Sequence, residues 1–262
     1  MLGDSAAAAR TEVAEPRATS RREGLWVEIG AGHGEMTSLL ATQVRRLIAI
    51  ELDPKLLPRL REQTAELSNV TVTAGDVLAL DLAELTEGER FRAYGNLPYY
   101  ITSPIVHRLL AQADRLEAAF LVVQLEVAER MTARPGSRDF AYFSAFTQFY
   151  SRPEILLRIP PGAFQPPPKV SSALVALRLP GERTKLGITD EAGFLKFLKV
   201  CFAQKRKTLR NNLRSLMPQD EAAELLRECG IGASARAEEI GVTEFARLFA
   251  VTKGTEGRNF RG

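Results

Sequence analysis

The residue types best suited to chemistry fall in short segments that punctuate apolar runs. Gly30-Ala31-Gly32-His33-Gly34 stands between an apolar run and an amphipathic one. A glycine turn at such a junction lets the backbone approach a ligand closely, and the start of the following helix offers free N–H groups. The spacing is Gly-x-Gly-x-Gly rather than the wider gap of dinucleotide-binding enzymes. An acidic residue, Glu51, ends the next apolar run, at roughly the 20-residue offset where a carboxylate meets ribose hydroxyls. Together these residues point to a nucleoside-bearing cofactor. Asp76, in Gly75-Asp76-Val77, is a second acidic group suited to accept a hydrogen bond from an adenine amino group, with Val77 beside it. The same aspartate also reads as the cap of a short helix after it, and the two roles can coexist. Glu28 sits inside an apolar run, where a carboxylate is costly to bury without a partner. It either orients the glycine loop or meets an amino group of the cofactor. A further segment, Gly95-Asn96-Leu97-Pro98-Tyr99-Tyr100-Ile101-Thr102, combines a side-chain amide, a stiff proline and two aromatic rings. Taken alone, it also reads as a plain turn with its tyrosines in the core.

The elements that must position these residues alternate. Strands are expected at Leu25 to Ile29, Leu47 to Ile50, Val70 to Thr73, Phe91 to Tyr94 and Ala119 to Val123. Helices are expected at Glu35 to Gln43, about Pro54 to Leu67, Pro104 to Ala113 and Val127 to Met131. Alternation of this kind predicts a parallel sheet with right-handed crossovers and a ligand site at the carboxyl ends of its strands. Two later runs, Glu154 to Ile159 and Ala173 to Arg178, are separated by a segment with five prolines and no room for a helix. They are expected to close the sheet as an antiparallel hairpin. From Thr189 to Val251 the pattern is helical only. The expected division is a variable tail over 1–24, an α/β domain over 25–182, a small all-helical domain over 188–252 and a tail over 253–262, with the linker near Pro180 to Gly187.

Asn-Leu-Pro-Tyr after a fourth strand resembles the motif of N6-adenine methyltransferases, and the longer string Asn96 to Pro104 resembles the ribosomal RNA adenine dimethyltransferases in particular. Phe164-Gln165-Pro166-Pro167-Pro168-Lys169-Val170-Ser171-Ser172-Ala173 resembles a second loop of that family, and Cys201 to Leu213 resembles its C-terminal domain. The likeness runs from about Trp26 to Phe249. It implies a class I methyltransferase fold, Rossmann-like and mostly parallel with a terminal antiparallel hairpin, and a helical RNA-binding domain. The implied cofactor is S-adenosylmethionine, held by Glu28, Gly30, Gly32, Glu51, Asp76, Val77 and Asn96. Methylation of an exocyclic amine is difficult because its lone pair is conjugated with the ring. The resemblance implies that the Asn96 side-chain carbonyl and the Pro98 backbone carbonyl hold the two N–H groups, aiming the nitrogen at the methyl carbon. Tyr99 and Phe164 would then sandwich the extruded base. The implied reaction is dimethylation of two adjacent adenosines in a 3′-terminal hairpin of 16S ribosomal RNA within the immature 30S subunit.

The chain's 35 basic and 32 acidic residues leave a formal charge of +3, too small to argue for a polyanionic partner. Clustering is more telling. Seven basic residues between Ala192 and Gln219 (Lys196, Lys199, Lys205, Arg206, Lys207, Arg210 and Arg214) face no acidic one. A run of one sign reads as phosphate contact, with Lys205, Arg206, Lys207 and Arg210 as its centre and Lys169 joining from the proline loop.

With two histidines, His33 and His107, and two distant cysteines, Cys201 and Cys229, neither a metal site nor a disulfide framework is expected. A cytoplasmic monomer with no membrane span is expected. One departure from the family pattern stands out. The Phe-Gly-Gln-Asn-Phe-Leu segment that relatives carry ahead of the first strand is not found in residues 1–24, which predicts weaker cofactor retention. That departure keeps in play an assembly or nucleic-acid-binding factor with weakened catalysis, and a separate enzyme reading is an N6-adenine methyltransferase for another nucleic acid.

Overall fold

Short runs of Val, Ile, Leu and Ala that are apolar on both faces settle as strands of a parallel sheet covered by helices. A computed structural model, which describes the backbone of residues 23–259 and the side chains of residues 24–252, has this arrangement. In chain order its elements are β1 (Glu23–Ile29), α1 (Glu35–Gln43), β2 (Val44–Glu51), α2 (Leu57–Thr64), β3 (Val70–Ala74), α3 (Leu82–Leu85), β4 (Phe91–Asn96), α4 (Thr102–Leu110), β5 (Leu116–Gln124), α5 (Leu125–Thr132), α6 (Tyr142–Tyr150), β6 (Arg152–Ile159), β7 (Ser172–Arg178), α7 (Arg183–Leu186), α8 (Glu191–Cys201), α9 (Leu209–Asn212), α10 (Gln219–Glu228) and α11 (Val242–Asn259).

The seven strands lie in the order β3-β2-β1-β4-β5-β7-β6, and β7 alone runs opposite to the other six. The chain steps outward from β1 to β2 and β3, then returns to the other side of β1 to lay down β4 and β5. That reversal, between β1 and β4, is the position where open α/β sheets form a ligand crevice outside the strand ends. Register brings the key residues to one edge: Ile29 pairs with Ile50 and with Gly95, Glu51 with Ala74, and Asn96 with Val122. Because β7 is reversed, its first residue, Ser172, reaches the same edge and pairs with Gln124 and Ile159.

The mostly parallel sheet and closing antiparallel strand match expectation, with seven strands and with β7 inserted between β5 and β6. Boundaries moved where local bonds compete with the helix. Asp53 holds Lys55 N–H with a side-chain oxygen (2.9 Å) and Leu56 N–H with its carbonyl (3.0 Å), so α2 starts at Leu57 rather than near Pro54. The short helix α7 occupies the expected linker, and α11 continues to Asn259, beyond the boundary expected at 252. Of the expected amino-terminal tail, only Glu23 and Gly24 are described, as the start of β1. The family segment sought there lies outside the described residues.

The helical C-terminal part shares one buried apolar cluster with the sheet. Phe149 on α6 packs against Phe194 on α8 (ring centroids 5.0 Å apart), and Phe194 in turn meets Phe249 on α11 (5.6 Å). Arg183 of α7 reaches both Asp114 (2.7 Å) and Glu191, fastening the connection between the two parts. At Gly181 the chain presses against the end of α6: a methyl group there would come 2.4 Å from Ser151 N and 2.5 Å from the Gln148 carbonyl oxygen. Backbone on both sides cannot yield as a side chain would. Gly181→Ala should therefore lower stability by roughly 1–3 kcal/mol, the range for overpacking; a urea midpoint equal to that of the native chain would contradict this packing.

Candidate active site

The glycine turn after β1 is tied to its neighbours by backbone bonds. Gly30 N–H and Ala31 N–H both donate to the Ile50 carbonyl (2.9 and 3.1 Å). Glu51, 7 % exposed, is the hub: one carboxylate oxygen accepts from Gly32 N–H (2.7 Å), the other from Asp53 N–H (2.8 Å), and its backbone carbonyl accepts from Gly75 N–H (2.9 Å). Three loops are thus held by one residue, and each carboxylate oxygen keeps a lone pair for a ligand hydroxyl. Gly30 and Gly32 adopt left-handed φ of +73° and +62°, which favours glycine. A methyl group on Gly32 would meet nothing within 4 Å, and one on Gly30 only the Asn96 carbonyl oxygen at 3.9 Å. The turn therefore borders open space, with the Asn96 segment along its far side.

Glu28 lies on β1 below the turn, 2 % exposed. Burial, reinforced by the nearby carboxylates of Glu35 and Glu51, raises its pKa to about 7, while the adjacent Thr37 hydroxyl offsets part of the rise. Glu28 Oε2 and Thr37 Oγ1 both lack a hydrogen-bond partner, although Thr37 is fully buried on α1. Two unsatisfied buried oxygens side by side are costly and mark a place for a donor that the described residues do not supply.

Asp76 does not cap the following helix, which was the competing reading. Its side chain accepts from Leu78 N–H (2.9 Å) and its carbonyl from Ala79 and Leu80 N–H (2.9 Å each), closing a turn, and Asp81 caps α3 instead. Val77 is buried beneath that turn.

Asn96 is exposed at the end of β4. Leu97 N–H donates to the Val122 carbonyl (3.0 Å), and the buried Leu97 side chain anchors the bend. The expected acceptor role of the Pro98 carbonyl meets competition: that oxygen already accepts from Ile101 N–H (3.2 Å) and the Thr102 hydroxyl (3.2 Å). The Leu97 carbonyl, one residue earlier, accepts nothing from the described residues. Tyr99 is half-buried, its hydroxyl bonded to Ser172 Oγ on β7 (2.8 Å), which fixes the ring at the crevice. Phe164 is half-buried in the proline loop that returns to this edge, and Lys169 is exposed there. Among the described residues neither the Tyr99 nor the Phe164 ring pairs with another aromatic ring.

Lys205, Arg206 and Lys207 are exposed on the turn between α8 and α9, outside the helical pattern expected of that region, and Arg210 follows half-buried on α9. Lys205 Nζ donates to the Arg138 carbonyl (2.9 Å). Sequence reasoning missed Thr37, Ser172 and the Leu97 carbonyl. Ser172 stood inside the recognised loop, but its bond to Tyr99 spans 73 positions and has no local signal.

The described residues contain no group of three or more His, Cys, Asp or Glu side chains that could hold a metal, and none of their helices is long and apolar enough to cross a membrane. Both cysteines are free and buried.

A reversed-order, mostly parallel sheet with a glycine turn after β1, acidic residues at the end of β2 and after β3, and an Asn-Leu-Pro-Tyr bend at the end of β4 defines a Rossmann-like methyltransferase. The chain belongs to the ribosomal RNA adenine dimethylase family, whose profile matches residues 17–253. It is 47% identical over 225 residues to ribosomal RNA small subunit methyltransferase A of Acidobacterium capsulatum, covering 85% of this chain and 79% of that one. It is 40% identical to the protein of the same name from Rubrobacter xylanophilus, covering 85% and 83%. Among solved structures, a dimethyladenosine transferase from Plasmodium falciparum superposes with a TM-score of 0.77 at 22% identity (90% and 92% covered). The 23S rRNA methyltransferase ErmE superposes with a TM-score of 0.69 at 27% identity (88% and 91% covered).

The Glu28 carboxyl has a consequence for stability. The folded protein keeps this proton up to about pH 7, whereas the unfolded chain releases it near 4.5. Stability contributed here is therefore lost as pH rises through that window, by up to ~3 kcal/mol. Glu28→Gln should remove this dependence and unfold at a higher temperature than the native protein at pH 8 but not at pH 4. Parallel melting curves for the two proteins across that range would contradict it.

Proposed function

We propose that the chain transfers methyl groups from S-adenosylmethionine to the exocyclic N6 of adenosines in small-subunit ribosomal RNA, dimethylating a pair of adjacent adenosines in the immature 30S subunit. The observation that carries this reading is the adjacency of the Gly30 turn and the Asn96 bend across the β1/β4 reversal. Relatives that share up to 47% of their residues over most of the chain are named for small-subunit RNA.

The residues suit the cofactor. Bare φ-positive backbone at Gly30 and Gly32 leaves room where any side chain would intrude. The unpartnered Glu28 Oε2 and Thr37 Oγ1 suit the methionine ammonium, the free lone pairs of Glu51 the ribose hydroxyls, and Asp76 with Val77 the adenine ring. When bound, S-adenosylmethionine supplies a methyl carbon activated by its sulfonium.

The chain's own contribution is to grip and aim the target amine. Asn96 Oδ1 accepts one N–H, and a carbonyl of the bend, Leu97 or Pro98, accepts the other. Two carbonyl dipoles fixed before the reaction stabilise positive charge growing on nitrogen, so no strong base is required. Leu97 and Ser172 hold the bend and the Tyr99 ring still, which would keep a gripped amine in one orientation. Tyr99 and Phe164 receive the base between them, a stacking contact of ~1–3 kcal/mol per base. Lys169, Lys205, Arg206, Lys207 and Arg210 meet phosphates.

Asn96→Ala should lower methyl transfer to under-methylated small subunits by roughly 100- to 1,000-fold. Calorimetric titration of the same variant with S-adenosylmethionine should still show saturable binding. Native rates in this variant would refute the role given to Asn96.

A further inference from the structure

Outside the crevice, a cavity of about 380 Å³ opens where α4, the α5–α6 connection and the turn between α8 and α9 meet. Its lining includes His107, Arg130, Tyr142, Phe202, Lys205 and Glu238. One wall is aromatic: His107 stacks on Tyr142 (6.0 Å) and Phe202 packs on Phe140 (6.0 Å). The charge is positive. Among the described residues Arg130 forms no ion pair, Lys205 donates to the Arg138 carbonyl, and Lys199 lies over the Tyr142 ring at 5.8 Å. The one carboxylate, Glu238, is drawn to Arg236 at 3.9 Å. His107 adds no charge near neutrality, because burial and Lys199 lower its pKa.

Position links this cavity to the crevice. Helix α4 starts at Thr102, whose hydroxyl bonds the Pro98 carbonyl, and His107 lies roughly 8 Å further along the helix axis at 1.5 Å per residue. Lys205, the first residue of the basic turn, belongs to its lining. A duplex cannot enter a concave, ring-lined space, but an unpaired nucleotide has both the face and the charge that fit it.

We propose that this cavity is a second nucleotide subsite that receives an unpaired base flanking the target in the RNA, with the base against the aromatic lining at Tyr142 and Phe202 and its phosphate on Arg130 and Lys205. The proposal rests on the reading that RNA is the substrate. Its role is to hold the strand splayed on both sides of the extruded adenosine.

The test is steady-state methylation of under-methylated small ribosomal subunits by the full chain and by Arg130→Gln, Tyr142→Ala and Tyr142→Phe. For Tyr142→Ala, KM for the subunits should rise about tenfold with kcat within about twofold, and Tyr142→Phe should restore the native KM. For Arg130→Gln, the slope of log KM against log salt should become shallower by about 0.7, the value for one lost contact to single-stranded phosphate. Arg130→Gln removes no core volume, so it reads out even if Tyr142→Ala fails to fold. Native KM and salt slope in Arg130→Gln, beside an active wild type, would overturn the subsite. Tight binding of adenosine monophosphate alone, lost in Arg130→Gln, would also overturn it and assign the cavity to a free nucleotide. A wild type that transfers no methyl group would overturn the substrate reading, and this proposal with it.

Discussion

In a parallel sheet every strand ends with backbone groups that its neighbours no longer satisfy, and where the strand order reverses two such ends are not covered by a shared crossover. Here that gap falls between β1 and β4. Because Ile29 pairs with Gly95, the chain leaves both strands side by side, one into a glycine turn and the other into a proline-stiffened bend. Neither loop has a regular partner, so each is stabilised by what little is within reach: the Ile50 carbonyl and Glu51 for the first, the Val122 carbonyl and Ser172 for the second. The crevice is what remains between them.

Two buried carboxylates at that edge show how environment separates roles. Glu51 meets two backbone N–H groups and organises the loops around it. Glu28, one strand inward, meets none and holds its proton to near neutrality. A frustrated acid in an otherwise apolar strand destabilises the empty protein and gains most from an incoming cation. The same logic applies to Thr37, a hydroxyl that the fold buries and leaves without a partner.

Much of this edge could be read before any coordinates. Short apolar runs revealed all seven strands, since burial on both faces leaves a compositional mark, and the glycine spacing with Glu51 marked the first loop. Helix ends were less legible: at Asp53 a local side-chain bond to Lys55 N–H decides where α2 begins, and propensity does not register it. The basic cluster was legible as charge but not as shape, because Lys205–Lys207 occupy a turn amid helices. Least visible was what depends on distant chain: the Tyr99–Ser172 bond, the Phe149–Phe194 contact that joins the helical part to the sheet, and the two donors that already occupy the Pro98 oxygen.

The insertion of β7 between β5 and β6 bears on how the molecule is built during synthesis. Strand β6 leaves the ribosome first, yet its lateral hydrogen bonds all go to β7, which emerges after the proline-rich loop. Until then Leu156 and Leu157, partly exposed even in the finished fold, lie on an unpaired strand of the kind that invites association with other chains. Ser172, the first residue of the late strand, is also the anchor for Tyr99. A nascent chain that has already closed its glycine turn thus still lacks the ring-holding half of its crevice, and the zippering of one strand finishes the sheet and the site together.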